Sequence, residues 1–301
     1  MKIKQCFVFA IAAMFQCMAA SAQEELFKDY EALKDSMNQR MLDFEKMYGC
    51  MSINSVRKVS FDKLSIGGEI DVDSEFPKLR TKKLDANGIW KQCHQSSLTF
   101  VMMMENKDKK ESFLSASAIA ITADGICLTN YHVVVDVVLS AAIEYYPSTD
   151  CLRYVMDYDG NVYPLKEILA VDPTNDWAII KVDTRNRALV PIPLGKTAEP
   201  GDKVYCISAA KSMPYIMTEG IVSRNSKVTS KADGLTKWQM EITADYAVGS
   251  SGGPIIDQYG NLAGMVSSTF AMYGNQKQMR NFQMSQKKTV PVMLIKKCLK
   301  K

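Results

Sequence analysis

Histidine is nearly missing from this chain, with two among 301 residues, and tryptophan is almost as scarce, with three. So few imidazoles leave little from which to build a nitrogen-ligated metal centre. No Cys-x-x-Cys pair replaces them, so no zinc site and no other metal is expected. A strong charge of either sign is also lacking. The 37 basic and 33 acidic residues leave a net charge of +4, which gives no electrostatic footprint for nucleic acid or a membrane surface. Past the N-terminus no apolar run reaches the ~20 residues that a spanning helix needs. What is present, 47% hydrophobic and 23% charged residues, is the composition of a globular chain with a sizeable core.

Residues 1–22 carry Lys2 and Lys4, an apolar run from Cys6 to about Met18, and the small-x-small ending Ala20-Ser21-Ala22. This is the pattern of a secretory signal peptide, so the mature chain is expected from Gln23, exported to the periplasm or secreted, without stable membrane insertion. Of eight cysteines, Cys6 and Cys17 leave with the leader. Cys50, Cys93, Cys127, Cys151, Cys206 and Cys298 remain, an even set that permits disulfides in an oxidising compartment without fixing any pairing.

Residues 24–48 space Leu26, Tyr30, Leu33, Met37, Met41, Phe44 and Met47 by threes and fours, which predicts an amphipathic helix. Its apolar stripe either packs on the main domain or offers a surface for self-association. From about 49 to 89 the pattern is interrupted by Gly67-Gly68, Pro77 and Asn87-Gly88 and reads as a connecting region. Asp71, Asp73 and Glu75 alternate as calcium ligands do, but the glycine and distal glutamate of such a loop are lacking, so they are read as a solvated edge. Beyond residue 95, short β runs at 97–104, 113–121, 125–129, 151–156, 161–171, 177–182, 203–209, 216–223, 237–243, 254–257, 262–268 and 289–294 follow one another. Asp124-Gly125, Asp159-Gly160-Asn161, Asp233-Gly234 and Tyr259-Gly260-Asn261 divide them, which predicts an all-β barrel or sandwich. The tail from Val292 to Lys301 predicts a short helix that caps the domain.

Three stretches carry chemistry. Gly249-Ser250-Ser251-Gly252-Gly253-Pro254 sets a serine between glycines, where its hydroxyl can be exposed and backbone N–H groups left free. His132 follows the apolar run Ile126-Cys127-Leu128-Thr129 at a strand end, and imidazole is the side chain matched to proton transfer near neutral pH. Asp176 opens Trp177-Ala178-Ile179-Ile180-Lys181-Val182, where a carboxylate either caps a turn or holds a histidine's Nδ1–H. His94, beside Cys93, falls in none of these motifs and is assigned no role.

Together these motifs resemble those of the trypsin-fold serine proteases, HtrA/Deg-like branch, in the order His, Asp, Ser, with 44 and 75 residues between successive members. The resemblance covers about residues 90–298, and Gly201-Asp202-Lys203-Val204 and Gly260-Asn261-Leu262-Ala263-Gly264 extend it. It implies an all-β fold of two six-stranded antiparallel barrels, at about 95–190 and 191–290. The implied organisation is a signal peptide at 1–22, a helical and linker extension at 23–89, and a protease domain at 90–301. The implied function is an exported serine endopeptidase acting on proteins or peptides, without cofactor or nucleic acid, through a Ser251 nucleophile, a His132 base and Asp176. Gly249 and Ser251 would supply the oxyanion-hole amides. A catalytically silent binding module on the same fold is the alternative.

Departures from the family pattern shape further expectations. Ser250 stands where trypsin-like zymogens have the aspartate that receives a new N-terminus, so activation by that ion pair is not expected. Ser115-Ala116-Ser117-Ala118 replaces the branch's Gly-Ser-Gly turn, and the few residues after the second barrel leave no room for a PDZ domain. Asp245, six residues before Ser251, has the spacing of an acidic pocket floor for Lys or Arg, with Ser267 and Ser268 as candidate walls.

Overall fold

Runs of β-branched and aromatic residues between Gly, Asn and Asp turns form strands in two rings. The computed structural model describes residues 27–61, 63–106, 109–138, 152–185 and 187–300. The expected leader and Cys151 lie outside the described residues. In chain order come α1 (Tyr30–Tyr48), α2 (Ile53–Phe61), the short β1 (Ser65–Ile66) and β2 (Ile70–Asp71), and α3 (Ala86–Cys93). The first ring takes β3 (Ser97–Asn106), β4 (Lys109–Ala120), β5 (Ile126–Thr129), α4 (Tyr131–Val138), β6 (Leu152–Met156), β7 (Val162–Asp172) and β8 (Trp177–Val182). The second takes β9 (Lys203–Ala210), β10 (Met213–Thr229), β11 (Thr236–Ile242), β12 (Pro254–Asp257), β13 (Leu262–Asn275) and β14 (Arg280–Pro291), then α5 (Val292–Cys298) and β15 (Leu299–Lys300).

The second set closes into a six-stranded antiparallel barrel in the order β10-β11-β14-β13-β12-β9. The first runs β7-β6-β3-β4-β5-β8, and the β7–β8 pairing completes its ring, with β1 added parallel to β7. This is the expected trypsin-like all-β architecture. Phe100, Tyr163, Ile168 and Ile180 fill the first ring, and Val204, Met240, Ile242 and Val266 fill the second. A third cluster, including Leu128, Ile179, Ile207 and Met265, welds the rings where their strands face each other.

Two helices come from the segment the sequence marks only as connecting. Asp85 caps α3, its Oδ1 accepting the Gly88 amide at 2.7 Å. Its Ile89 and Cys93 are fully buried among residues of both rings. Ile53 and Val56 of α2 join the first ring's core, and Ser60 Oγ accepts the Ile168 amide at 2.8 Å. On the second half of α1, Met37, Met41 and Phe44 are buried, and Asn38 bonds Lys110 O and Ser112 Oγ on β4. That face is therefore engaged within the chain.

The hairpins β10–β11 and β13–β14 run farther than expected, to Thr229 and Asn275. Their outer halves have no core to fill and no apolar alternation to mark them. Cross-strand contacts support them instead: Lys227 over the Trp238 ring, paired Thr229 and Thr236 hydroxyls, and Tyr273 edge-on to Phe282. Among the described residues, no helix is long and apolar enough to cross a membrane. Cys50, Cys93, Cys127, Cys206 and Cys298 are all unpaired.

Candidate active site

His132 sits in the first turn of α4, not at a free strand end. The β-branched run Val133-Val134-Val135 favours strand locally, but Asn130 anchors the turn, donating from Nδ2 to Asp176 O at 2.7 Å. Asp176 ends the turn between β7 and β8 with φ 59°, a left-handed conformation that aspartate tolerates better than bulkier residues. An Asx turn builds it: Asp172 accepts the Asn175 amide at 2.9 Å and its Nδ2 at 2.7 Å. Asn175 Oδ1 then takes the Trp238 amide at 2.9 Å, tying this turn to the second barrel.

The three side chains meet. Asp176 Oδ1 and Oδ2 lie 2.9 and 3.0 Å from His132 Nδ1, and Oδ1 also accepts the His132 amide at 3.2 Å. A carboxylate can only accept, so Nδ1 carries the proton. His132 Nε2, 3.0 Å from Ser251 Oγ, is left as the acceptor. The imidazole is 49% exposed while the carboxylate is 17% exposed, an arrangement that leaves the ring open to an incoming group and shelters the charge behind it.

The serine loop is held from both rings. Ser117 on β4 donates its amide to Ser251 O at 2.7 Å and its hydroxyl to Gly249 O at 3.2 Å, and its Oγ accepts the Ala209 amide at 3.0 Å. Ser250 is fully buried, its Oγ accepting Ser208 Oγ at 2.9 Å and the Ala247 amide at 3.3 Å. A small hydroxyl therefore stands where the trypsin-like zymogen pattern has aspartate. Glycine is required at 252: a Cβ there would fall 2.1 Å from Ser117 O, on a backbone with φ +85°.

Among the described residues, neither the Gly249 nor the Ser251 amide has a hydrogen-bond partner. The preceding carbonyl, Val248 O, is turned away to accept the Lys211 amide at 2.7 Å. Lys211 and Ser212, with φ of 51° and 60°, form the two-residue turn between β9 and β10. This turn and Ser117 were not legible as site residues, since neither carries a reactive group in a recognisable pattern.

The residues expected to line a pocket fall differently. Ser267 Oγ donates to Asp176 Oδ2 at 2.6 Å, so it supports the carboxylate. Ser268 is exposed, and its carbonyl lies 3.0 Å from Tyr246 Oη. Asp245 is 85% exposed and paired with Lys287 Nζ at 3.3 Å, unlike the enclosed acidic floor expected for a cationic side chain.

Residues 116–265 match the family model described as a trypsin-like peptidase domain. Protease Do-like 5, chloroplastic, of Arabidopsis thaliana is 28% identical over 155 residues, covering 50% of this chain and 47% of that protein. A probable periplasmic serine endoprotease, DegP-like, of Pseudomonas putida is 24% identical over 55% of this chain and 31% of its own length. The chain thus spans about half, or less, of these curated relatives. Among solved structures, the HtrA-type protease AlgW with decapeptide superposes with a TM-score of 0.53 at 18% identity, over 72% of this chain and 69% of that one. Ring topology, family model and relatives converge: the chain is a trypsin-fold protein of the HtrA/Deg-like family, with a trypsin-like peptidase domain.

Proposed function

We propose that this protein is an exported serine endopeptidase that cuts proteins or peptides through an acyl-enzyme on Ser251. The observation that carries the reading is the unbroken relay Ser251 Oγ, His132 Nε2, His132 Nδ1, Asp176, with contacts of 3.0 and 2.9 Å. Ser251 Oγ attacks the scissile carbonyl carbon while His132 Nε2 takes its proton. The carbonyl oxygen becomes an oxyanion that accepts from the Gly249 and Ser251 amides. Loss of one such donor typically costs ~3 kcal/mol, about a hundredfold in rate. As the C–N bond breaks, His132 returns the proton to the leaving amine. Water, deprotonated in turn by His132, then hydrolyses the ester and restores the serine. Asp176 fixes the imidazole tautomer throughout and stabilises its charged form.

The free amides of Gly249 and Ser251 favour this reading over a silent binding module. The relatives named as proteases, and the decapeptide in the AlgW structure, support a polypeptide substrate. A fluorophosphonate probe is expected to label the mature protein and to fail on Ser251→Ala. Equal labelling of both would refute the assignment.

A further inference from the structure

Strand direction alternates around the second barrel, so three of its connections open at one end: the Lys211–Ser212 turn, the Ser251 loop between β11 and β12, and the turn joining β13 to β14. The last of these stands on a long arm. Strand β14 pairs with β11 only between Lys287 and Thr289, and β13 pairs with β12 only between Leu262 and Met265. Past those points the arm is a two-stranded ribbon with no strand along either outer edge among the described residues. Phe270, Met279, Phe282 and Met284 on it are 47%, 71%, 58% and 53% exposed. Alternate residues share a face, so Phe270, Met272 and Met284 lie on one side of the ribbon. Tyr273 and Phe282, paired past a register shift, lie on the other. A folded partner would dry one face and leave the other wet. A medium that surrounds the ribbon dries both.

Charge narrows the choice of medium. Residues 258–301 hold eight Lys and Arg and no Asp or Glu, an asymmetry that the net charge of +4 for the whole chain conceals. Lys277 and Arg280 sit at the tip of the arm, and Lys288 Nζ lies 5.8 Å from the Phe270 ring centroid at its root. Lys287 is the exception, since Asp245 Oδ1 stands 3.3 Å from its Nζ. A second copy of the arm would bring like charge against like. We propose that the arm docks on an anionic lipid bilayer, its apolar tip at the boundary of headgroups and acyl chains and Lys277, Arg280 and Lys288 among the phosphates. The open edges of the ribbon hold it at that depth, because backbone N–H and C=O groups find no partners in hydrocarbon. Val248 on the Ser251 loop and Met213 after the Lys211–Ser212 turn are also exposed at this end, so docking turns the serine loop toward the lipid. This surface binds whether or not Ser251 turns over.

The test is co-sedimentation of the mature protein with vesicles of phosphatidylcholine, alone or mixed in equal parts with phosphatidylglycerol. Binding to the anionic vesicles is expected to be at least about tenfold tighter and to weaken as salt rises. A basic residue near such a surface contributes about fivefold, so Lys277→Gln combined with Arg280→Gln should lose about 25-fold. Met279→Ser combined with Phe282→Ser should lose about tenfold or more. Both double variants should keep the wild-type urea midpoint, since the ribbon fills no core. Phe282→Trp should be quenched by brominated acyl chains beyond the quenching of the wild-type tryptophans. Equal binding to the two kinds of vesicle, or unchanged binding in both double variants, overturns the proposal. So does a protein that ignores vesicles and uses these residues to hold unfolded carboxymethylated α-lactalbumin, or to form a dimer in sedimentation velocity.

Discussion

At the scale of single residues, Ser267 is the side chain whose role the fold redefines. Its hydroxyl donates to Asp176 Oδ2 at 2.6 Å, in addition to the bonds the carboxylate accepts from the His132 ring and amide. A hydrogen bond to a charged acceptor is worth about 1.5–3 kcal/mol. In Ser267→Ala, kcat is expected to fall by about tenfold or more while KM changes little, because Asp176 acts through His132 and touches no substrate. Ser267→Thr, which keeps the hydroxyl, should recover most of that loss. Steady-state kinetics on the cleaved peptide, with thermal unfolding as a check on folding, decides it; wild-type kcat in Ser267→Ala removes the role. The contrast with the triad explains what a sequence can reveal. His132, Asp176 and Ser251 each need a particular local setting, and that setting is written beside them. Ser117 and Lys211 act through a hydroxyl and amides that tertiary approach alone brings to the site, so nothing in their neighbours announces them; Ser267 was expected near the site as a pocket wall, and its bond to Asp176 was not foreseen. Asp245 shows the converse, since its spacing alone foretold neither its exposure nor its pairing with Lys287.

At the scale of elements, the strands were legible because alternating burial and turn residues mark them. The helices α2, α3 and α4 were not: each is nine residues or fewer, too short to set a period, and α4 is made mostly of β-branched residues. Tertiary packing decides their state over propensity. That packing also governs the segment before the first ring. Beta strand β1 extends the sheet at β7, Leu84 donates its amide to Gln258 O at 2.8 Å, and Arg80 and Asn261 exchange hydrogen bonds at 2.8 and 3.0 Å. Ile89 is wholly buried at the junction of the rings. A chain beginning at residue 97 should therefore lose cooperative unfolding and fluorophosphonate labelling together. Ile89→Ala in the intact chain should lower stability by about 2–5 kcal/mol in urea unfolding. If the shortened chain unfolds cooperatively at the wild-type midpoint and still takes the probe, the segment is dispensable to the fold of the rings.

At the scale of the whole molecule, the unpaired thiols link both rings and the N-terminal segment to pH. Burial pushes Cys93 and Cys298 up to about 11 and Cys50 and Cys206 up to about 12, from an ordinary value of 9.0, and pushes Cys127 higher still. In the folded chain these groups stay protonated where, unfolded, they would ionise. Their stabilising contribution is therefore complete below pH 9 and is lost as the pH rises through 11 and 12. Each fully buried thiol weakens the fold by about 1.4 kcal/mol per pH unit within that window. Burial likewise raises Tyr154, Tyr163 and Tyr246 from 10.0, which steepens the fall above pH 10. The urea midpoint should accordingly hold steady from pH 7 to 8.5 and drop sharply by pH 10.5. In Cys206→Ala, where one buried thiol no longer titrates, the decline should be shallower by one proton's contribution once the cavity's constant cost is subtracted. A wild-type midpoint that stays flat to pH 10.5, or a Cys206→Ala slope identical to it, would show that the thiols are not held protonated by the fold.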